Sequence, residues 1–392
     1  DMFTALMLTV TGILSLTCAW FAMASGRAQS RFFAPMLLVL LAGVNGALLT
    51  ADLFNLFVFI EVMLLPSYGL YVLSANRREP LRRVDGARLY VTLNLLTSTI
   101  LVVGVGFIYG ITGSVNLAVL AGAAARDERV AVAGFMVLFA LSIKASVVPL
   151  HGWLSKAYPS TSPAVTAIFS ALHTKVGVYA ILRTETLLFP GSDLGDLLMV
   201  LGLATMVTGI LGAVAQSGIK RMLSFTLVSH IGFMLFGVGL GSEAGLSAAI
   251  FYIAHHITVQ TALFLVSGLI ERVGGSTVLD RLGGLASRSA LLGVLFFVPA
   301  MNLAGIPPFS GFVAKTGLIQ AGVADGGAVA WTLVAGSIVT SILTLYAVTK
   351  AWSAAFWRPA PQEQGETSVI PTGIIEPSLG RLSDAVGHGV LA

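Results

Sequence analysis

The stretch that decides the fold is Ala140-Leu-Ser-Ile-Lys-Ala-Ser-Val-Val-Pro-Leu-His-Gly-Trp-Leu-Ser-Lys156. It places a lysine, Lys144, deep in an apolar run, and Pro149 interrupts that run five residues later. A proline removes a backbone hydrogen-bond donor and clashes with the preceding helical turn. The stretch therefore predicts a broken helix that carries a charge through apolar surroundings.

A weaker copy of this stretch is Leu303-Ala-Gly-Ile-Pro-Pro-Phe-Ser-Gly-Phe-Val-Ala-Lys315. Both stretches contain proline, two variable residues, glycine, an aromatic, an aliphatic and a small residue, and lysine. Lys315 stands 159 positions after its counterpart, Lys156. Broken spans in corresponding positions of two halves point to an ion pathway. An ordinary proline kink explains either break alone, but the shared pattern favours a functional role. The expected helix breaks are Pro149, Pro307 and Pro308.

The composition places the chain in a membrane. Hydrophobic residues make up 56% of its 392 residues and charged residues only 10%, whereas about 25% of a soluble domain is charged. Such a chain cannot cover a water-soluble surface, so it is an integral membrane protein. The single cysteine, Cys18, excludes a disulfide framework and a cysteine-based metal site. The net charge of +4 comes from short loops and does not indicate nucleic acid binding.

Apolar stretches of spanning length, about 20 residues, recur along the whole chain. They are long and continuous, which excludes the ten-residue alternation of transmembrane β-strands. We therefore predict an all-α integral membrane fold with eleven transmembrane helices. The predicted spans are 2–25, 32–50, 53–74, 88–112, 130–154, 162–184, 196–216, 221–241, 246–270, 290–318 and 328–350.

The loops between these spans differ in positive charge. One face receives Arg27, Arg31, Arg77, Arg78, Arg82, Arg83, Arg88, Lys156, Lys220, Arg221, Arg272, Arg281, Arg288, Lys350 and Arg358. The opposite face receives only Arg126, Arg129 and Arg183. Because cytoplasmic loops carry the excess of lysine and arginine, we expect the arginine-rich face to be cytoplasmic.

Some ionisable residues fit no loop and lie inside predicted spans. They are Lys144, Lys175, Lys315, Glu61, His173, His230, His255 and His256. A charge at the bilayer centre costs about 2.5–3.5 kcal/mol on insertion scales, so these residues are candidates for function. The structural alternative is that the charged ones snorkel or form a buried pair, and that each histidine makes a polar helix–helix contact.

An acid and a lysine in a membrane can form a proton switch. Desolvation favours the neutral form of a lysine, and a nearby carboxylate favours its charged form. At about 6 Å and an effective dielectric constant near 20, their attraction is about 2.8 kcal/mol. A change in the separation of Glu61 and Lys144 would therefore load or release a proton. The histidines can relay protons because each has two ring nitrogens and titrates near neutrality.

The offset of 159 residues also indicates an inverted repeat. Five spans would match five later spans. Because each set contains an odd number of spans, the two sets would cross the membrane in opposite orientations. Glu61 plus 159 falls on Lys220, which is a weaker correspondence than the proline pattern. The predicted segments are a helix and loop at 1–31, five-helix repeats at 32–184 and 185–350, each with one discontinuous helix, and a C-terminal tail at 351–392. From Pro359 to Ala392 we expect this tail to be flexible or interfacial.

Five motifs carry a family resemblance over nearly the whole chain. They are Asp52-Leu-Phe-Asn-Leu-Phe-Val-Phe-Ile-Glu61, Pro149-Leu-His-Gly-Trp-Leu154, Leu172-His-Thr-Lys-Val-Gly-Val-Tyr-Ala180, Lys220-Arg-Met-Leu-Ser-Phe-Thr-Leu-Val-Ser-His-Ile-Gly232 and Gly305-Ile-Pro-Pro-Phe-Ser-Gly311. In combination they resemble the antiporter-like subunits of respiratory complex I, Mrp-type cation/proton antiporters and membrane-bound hydrogenases. That resemblance implies fourteen spans and two inverted five-helix repeats.

The resemblance also implies roles for individual residues. Glu61 and Lys144 would form the acid–lysine pair of a first half-channel. Lys175 would be the connecting lysine on the central axis, and Lys315 would end the second half-channel. The expected proton pathway consists of Glu61, Lys144, Lys175, Lys315, His230, His255 and His256, with His173, Lys220 and His151 as secondary candidates.

Within the family, Ala42-Gly-Val-Asn-Gly-Ala47 and Leu172-His-Thr-Lys-Val-Gly-Val-Tyr179 resemble most the D-type chains of Mrp antiporters. Lys315 argues against the complex I subunit that carries glutamate there. Gln260 is a departure, since some D-type chains are expected to carry lysine at that position.

The expected function is that of a proton-translocating subunit in a multisubunit Na+(cation)/H+ antiporter. The expected partners are other membrane subunits, lipid, protons and Na+, in the cell membrane of a prokaryote. We expect no cofactor, metal site, nucleic acid or catalytic centre in this subunit. One alternative is a proton-pumping subunit of an NADH–quinone oxidoreductase or a membrane-bound hydrogenase. Another alternative is a scaffold or assembly subunit that transports nothing.

Overall fold

The computed structural model of the protein describes residues 1–73, 80–191 and 194–359. In these residues the regular structure is helical, apart from two isolated β-bridges. The helices are α1 Met2–Ala24, α2 Phe33–Leu49, α3 Leu53–Leu73, α4 Pro80–Thr112, α5 Ala123–Arg126, α6 Glu128–Ala145, α7 Gly152–Ala157, α8 Pro163–Leu188, α9 Leu194–Val214, α10 Ile219–Gly239, α11 Glu243–Gly274, α12 Leu285–Arg288, α13 Ala290–Ala304, α14 Ser310–Asp325 and α15 Ala328–Trp352.

All eleven predicted spans contain helix, and the all-α membrane fold is confirmed. Eight helices in the described part of the chain are long and apolar enough to cross a membrane, and α2 and α13 are shorter apolar helices. The boundaries differ in places: α4 begins at Pro80, eight residues before the predicted start. The predicted spans 130–154 and 290–318 are each divided into two helices. The later helix of the second span, α14, extends to Asp325.

The chain is still helical at the start of the predicted tail at 351–392. Helix α15 continues to Trp352, and a π-helical turn follows at Ser353–Trp357. Arg358 then donates from Nη2 to the carbonyl oxygen of Leu282 at 3.1 Å, which fixes the chain against the loop before α12. Residues 360–392 lie outside the described part.

Two helices form the centre of the protein and the others surround them. In the most apolar 18-residue stretch of each helix, 100% of the residues of α8 and 94% of those of α10 are buried, whereas the share is 33–39% in α1, α4 and α15. The outer helices expose large apolar side chains such as Leu38, Phe107, Leu211 and Ile342. An apolar outer surface and a polar-containing centre are what a lipid environment requires.

Two helical hairpins repeat the same close packing. In the α2–α3 hairpin, Gly43 faces the backbone of Met63, and a Cβ added to the glycine would lie 2.5 Å from the Met63 amide nitrogen. In the α9–α10 hairpin, Gly209 faces Ser229, and the corresponding distance is 2.3 Å. Both pairs are separated by 166 residues (209 − 43 and 229 − 63). The small residues allow the two backbones to approach closely.

The connections before the broken helices also repeat. Gly122 and Gly284, both with positive φ, precede the short helices α5 and α12. Asp127 and Ser289 then cap α6 and α13 from extended backbone. These pairs are separated by 162 residues. The structure thus repeats locally in both halves, while the segment boundaries at 184 and 350 stay a prediction.

Candidate functional site

The first helix break is partly buried: Ser146 and Val147 are buried, whereas Pro149 is exposed. Helix α6 ends at Ala145, and Ser146 has a left-handed φ of 62°. Freed backbone groups find side-chain partners: Trp153 Nε1 donates to Ile143 O at 3.1 Å, and Val148 N donates to Thr205 Oγ1 at 3.1 Å. Non-helical backbone is tolerated at membrane depth only where protein or water satisfies it.

Lys144 lies in the last turn of α6 and is 1% exposed. Its Nζ donates to Asn94 Oδ1 of α4 at 2.9 Å. One turn further along α4, Ser98 Oγ donates to Glu61 Oε1 of α3. Glu61 and Lys144 interact electrostatically without forming a direct ion pair. The face of α4 therefore connects the acid to the lysine.

Tyr90 continues this polar face of α4 toward α8. Its main-chain carbonyl accepts from Asn94 Nδ2 at 2.7 Å. The Tyr90 hydroxyl lies 2.8 Å from His173 Nδ1 and 3.0 Å from Ser67 Oγ. His173 is 1% exposed, and its Nε2 is buried without a partner among the described residues. We define the first cluster as Glu61, Ser67, Tyr90, Asn94, Ser98, Lys144 and His173.

Sequence reasoning missed four members of the first cluster. Tyr90, Asn94 and Ser98 follow one another at intervals of four residues, and residues four apart share one face of a helix. That spacing inside an apolar helix was a usable signal. Ser67 had none, because it lies directly after Pro66 in a helix with no other distinguishing polar spacing.

Lys175 lies at the centre of the protein on α8 and is completely buried. Its Nζ donates to the carbonyl oxygen of Ser170 at 2.8 Å, which directs the ammonium toward the start of α8. The lysine interacts electrostatically with His256 and His230. It therefore stands between the first cluster and the histidines of α10 and α11.

The second break places its lysine differently from the first. Lys315 belongs to α14, the later half-helix, and its Nζ donates to Leu303 O at 3.1 Å and to Ala304 O at 2.9 Å. These are the last carbonyl groups of α13, where a cation is favourable. Gly305, with φ 88°, follows them, and a Cβ there would lie 2.8 Å from Lys315 Cδ. Glycine suits both the positive φ and the close passage of the lysine side chain.

His255 connects α11 to the second break. Its Nδ1 lies 3.0 Å from Ser310 Oγ, and the Ser310 hydroxyl donates to Asn302 Oδ1 at 3.3 Å. The Gly311 amide also donates to Asn302 Oδ1, at 2.8 Å. Asn302 therefore takes over a helix-terminal hydrogen bond and joins the two half-helices.

His230 and His256 face each other in the interior, with ring centroids 4.9 Å apart. His230 Nδ1 lies 2.7 Å from the hydroxyl of Tyr252. His230 Nε2 and both ring nitrogens of His256 are buried without partners among the described residues. We define the second cluster as His230, Tyr252, His255, His256, Asn302, Ser310 and Lys315.

Gln260 follows His256 by one turn of α11 and is completely buried. Its Nε2 donates to Leu223 O at 2.7 Å, and its Oε1 is buried without a partner in the described part of the chain. The side chain therefore adds a neutral acceptor beside the second cluster, at the position where the family resemblance favoured a lysine.

Two secondary candidates lie outside both clusters. Lys220 is the second residue of α10 and forms an ion pair with Glu271 at 2.6 Å. The predicted correspondence of Lys220 with Glu61 is wrong, because the offset in these hairpins is 166 residues and places Leu227 opposite Glu61. His151 is half-buried directly before α7.

The arrangement can pass protons and shows no other evident chemistry. Its groups are amines, imidazoles, a carboxyl and hydroxyls, arranged from Glu61 through Lys144 and Lys175 to Lys315. Within residues 1–73, 80–191 and 194–359, no group of three His, Cys, Asp or Glu side chains is placed to hold a metal ion. Buried polar atoms in proteins require partners, so the unpaired ring nitrogens indicate contact with water.

Comparison with curated proteins finds relatives over most of the chain. The D component of the Na(+)/H(+) antiporter of Alkalihalophilus pseudofirmus is 41% identical over 370 residues, 91% of this chain and 72% of that protein. The protein of the same name from Bacillus subtilis is 34% identical over 388 residues, 96% of this chain and 77% of that protein.

Three solved structures with the same fold belong to different kinds of membrane complex. A chain of the Mrp complex from Dietzia sp. is 53% identical with a TM-score of 0.87, over 91% of this chain and 66% of that one. A chain of the membrane-bound sulfane sulfur reductase, an archaeal respiratory complex, is 27% identical with a TM-score of 0.82, over 92% of this chain and 75% of that one. A chain of respiratory complex I from Thermus thermophilus is 26% identical with a TM-score of 0.75, over 90% of this chain and 77% of that one. This chain thus spans a little under two thirds of the Dietzia chain.

A family profile covers both clusters. The profile of the transmembrane NADH:quinone oxidoreductase/Mrp antiporter family matches residues 50–344. That range begins just before α3 and ends within α15, so it includes both broken helices and every charged residue between them. Together with the relatives above, the match shows that the chain belongs to the NADH:quinone oxidoreductase/Mrp antiporter family.

Proposed function

We propose that the chain is a proton-translocating subunit of a multisubunit Na+(cation)/H+ antiporter in the cell membrane of a prokaryote. The observation that carries this proposal is the series of buried Lys144, Lys175 and Lys315, with buried histidines and neutral polar side chains around them. The subunit needs no cofactor of its own for this function. Moving one charge through 100 mV is worth about 2.3 kcal/mol, which is the energy available for cation export.

The proposed pathway has two halves. In the first, a proton moves between Glu61 and Lys144, whose carboxyl and ammonium groups are positioned by Ser98 and Asn94 of α4. Lys175 receives it at the centre, and His256 and His230 pass it toward the second break. Lys315 ends the pathway beside the carbonyl groups of α13. Each transfer changes the electrostatic field at the next group, so the occupied sites influence one another.

The proposed orientation places the arginine-rich loops in the cytoplasm. Lys156, Lys220 and Lys350 then lie on the inner side, and Arg126 and Arg183 on the outer side. The boundaries of the repeats at 32–184 and 185–350 belong to the same proposal. Under it, Lys144 and Lys315 belong to halves of opposite orientation.

Neighbouring subunits are part of the proposal for a physical reason. Pro307, Pro308 and Ser310 of the second break are exposed, and so is Pro149 of the first break. Irregular backbone exposed to lipid is not tolerated within the hydrocarbon region. A partner subunit that covers this exposed backbone would shield it from lipid, as expected for a hetero-oligomer.

The test is Na+-dependent proton flux in vesicles that contain the assembled complex. We expect wild type to exchange, and Glu61→Ala and Lys144→Ala to lose exchange while the complex assembles normally. Unchanged exchange in Lys144→Ala would favour the scaffold alternative instead. A matched control is Lys156→Ala, because this lysine is exposed on α7.

A redox-driven proton pump is the second candidate. Its support is the similarity to chains of complex I and of the sulfane sulfur reductase, at 26% and 27% identity. The 53% identity to the Mrp complex chain favours the antiporter. Proteins that purify with this chain decide between them, because a redox complex brings flavin or iron–sulfur centres.

A further inference from the structure

The outer end of α8, defined here as the end at Leu188, carries a polar cluster that the proposed pathway does not use. Lys175, Tyr179 and Arg183 follow at intervals of four residues along α8. Residues four apart lie on the same helix face. A proton on Lys175 therefore has a polar side chain one turn away in the outward direction, and the contacts of that side chain decide whether it can pass.

Tyr179 is the centre of this outer cluster and is 4% exposed. Its hydroxyl donates to the carbonyl oxygen of Leu48, at the end of α2, at 2.9 Å. The same oxygen lies 2.8 Å from Thr4 Oγ1 of α1 and accepts from Arg183 Nε at 3.1 Å. Three helices therefore meet at one hydroxyl group.

The directions of these hydrogen bonds prevent a proton from passing through Tyr179 to the outer end of α8. The only proton of the Tyr179 hydroxyl is given to a main-chain carbonyl, so Thr4 and Arg183 must be the donors in the other two bonds. A relay group has to accept a proton on one side and donate one on the other. Leu48 O is a backbone acceptor that passes nothing on, and Arg183 does not lose its proton in proteins.

Charge and packing add to the closure. The Arg183 guanidinium lies 5.1 Å from the Tyr179 ring centroid and 5.5 Å from that of Phe3. It also donates to Thr4 Oγ1 at 3.3 Å and forms an ion pair with Asp1 toward the surface. A fixed positive charge beside Tyr179 opposes the approach of protons and cations.

The inward side of Lys175 is different. Its ammonium is directed away from Tyr179, toward the carbonyl of Ser170. The ring nitrogens of His256 on that side have no partner among the described residues. Lys175 is therefore directed away from the outer end of α8, and the second cluster holds ring nitrogens that are not engaged by other described groups.

We propose that Tyr179, held by Arg183 and Thr4, is an outer seal that prevents Lys175 from exchanging protons directly with the outer water. The inference rests on the proposed function, because it takes Lys175 as a proton-carrying group. The seal makes transport directional, since a proton on Lys175 must continue through the second cluster. It also assigns these three residues a positioning role rather than a place in the pathway.

The test measures proton leak in vesicles without Na+, using the assembled complex. We expect Tyr179→Ala to raise the leak about tenfold, the change that about 1.4 kcal/mol of barrier produces. Tyr179→Phe keeps the ring and removes the hydroxyl, so a smaller increase is expected. The control is Tyr109→Ala, an exposed aromatic residue at the end of α4 that contacts none of these groups, and its leak should equal that of wild type.

The double variant Tyr179→Ala with Lys175→Ala identifies the route. We expect its leak to return to the wild-type level, because the path through Lys175 is removed. A leak that persists in the double variant, or Tyr179 variants that leak no more than Tyr109→Ala, overturns the seal. If Tyr179→Ala does not assemble, Tyr179→Phe decides by the same criterion. Failure of the antiporter proposal is separate, since it shows as absent Na+-dependent exchange in wild type.

Discussion

Lys315 donates from Nζ to the carbonyl oxygen of Leu303 at 3.1 Å, and Leu303 stands 159 positions after Lys144. Leu303 thus occupies in the second break the position that Lys144 occupies in the first. Lys315 extends to Leu303 from the later half-helix, α14. The ammonium of Lys144 is held by Asn94 of a neighbouring helix. Loss of a proton from Lys144 therefore weakens a contact between α6 and α4, whereas loss of a proton from Lys315 weakens the hydrogen bonds at the end of α13.

Lys315→Arg separates these two roles of the second lysine. Arginine keeps the donors for the α13 carbonyls but does not lose its proton in proteins. We expect normal assembly with Na+-driven proton flux reduced about tenfold or more, equivalent to about 1.4 kcal/mol or more. Flux in vesicles and the yield of assembled complex are the measurements.

Lys350→Arg is the matched control for that experiment. Lys350 also donates to two main-chain carbonyls, Val214 O at 3.0 Å and Gln216 O at 3.2 Å, but it lies in the last turn of α15. Its replacement should leave flux unchanged. Wild-type flux in Lys315→Arg would mean that the lysine only stabilises the break.

Asn94→Asp tests the neutral link between Glu61 and Lys144. A carboxylate at this position attracts the ammonium by about 4 kcal/mol at 4 Å and an effective dielectric constant of 20. Lys144 would then retain its proton, so we expect Na+-driven flux to fall about tenfold or more. Asn116→Asp is the control, because Asn116 caps a loop through its side-chain oxygen, and it should transport normally.

The fold and the charged members of the site could be predicted because charge in an apolar span is conspicuous. The four-residue spacing of Tyr90, Asn94 and Ser98 marks a polar face of α4 but does not reveal its partners, since asparagine and serine often satisfy hydrogen bonds within their own helix. Their importance depends on how α4 is rotated against α3 and α6, and only tertiary packing sets that rotation. Partner side chains were therefore the part of the site that sequence reasoning left out.

Correspondence by a fixed offset failed for a related reason. The offset is 166 residues in the glycine hairpins, 162 at the caps of α6 and α13, and 159 at the breaks. Helix α13 is three residues shorter than α6, which accounts for the last step. A single motif pair fixes the offset only at its own position.

Ser98→Ala tests the hydroxyl that binds Glu61. Hydrogen bonds to charged groups contribute about 1.5–3 kcal/mol, so removing this donor should weaken the placement of the carboxyl group. We expect a reduction in flux of about tenfold or more, and at least as large a reduction in Glu61→Gln. Thr99→Ala, a change on the exposed face of the same helix, should transport like wild type. Normal flux in Ser98→Ala together with an inactive Glu61→Gln would show that this contact is dispensable.

Gly209→Ala tests the close packing of α9 against α10. The added Cβ would lie 2.3 Å from the backbone nitrogen of Ser229, which cannot move aside as a side chain can. Overpacking of this kind costs about 1–3 kcal/mol, so we expect a lower thermal unfolding temperature in detergent. Gly43→Ala should behave alike, because its Cβ would lie 2.5 Å from the backbone nitrogen of Met63.

Gly106→Ala is the reference for both glycine variants. Nothing lies within 4 Å of a Cβ at that position, and alanine favours a helix over glycine by about 1 kcal/mol. We expect it to be as stable as wild type or more stable. If Gly209→Ala unfolds at the same temperature as Gly106→Ala, the hairpin can separate without cost. If both hairpin variants are destabilised to a similar extent, the contact repeated at an interval of 166 residues stabilises both halves of the protein.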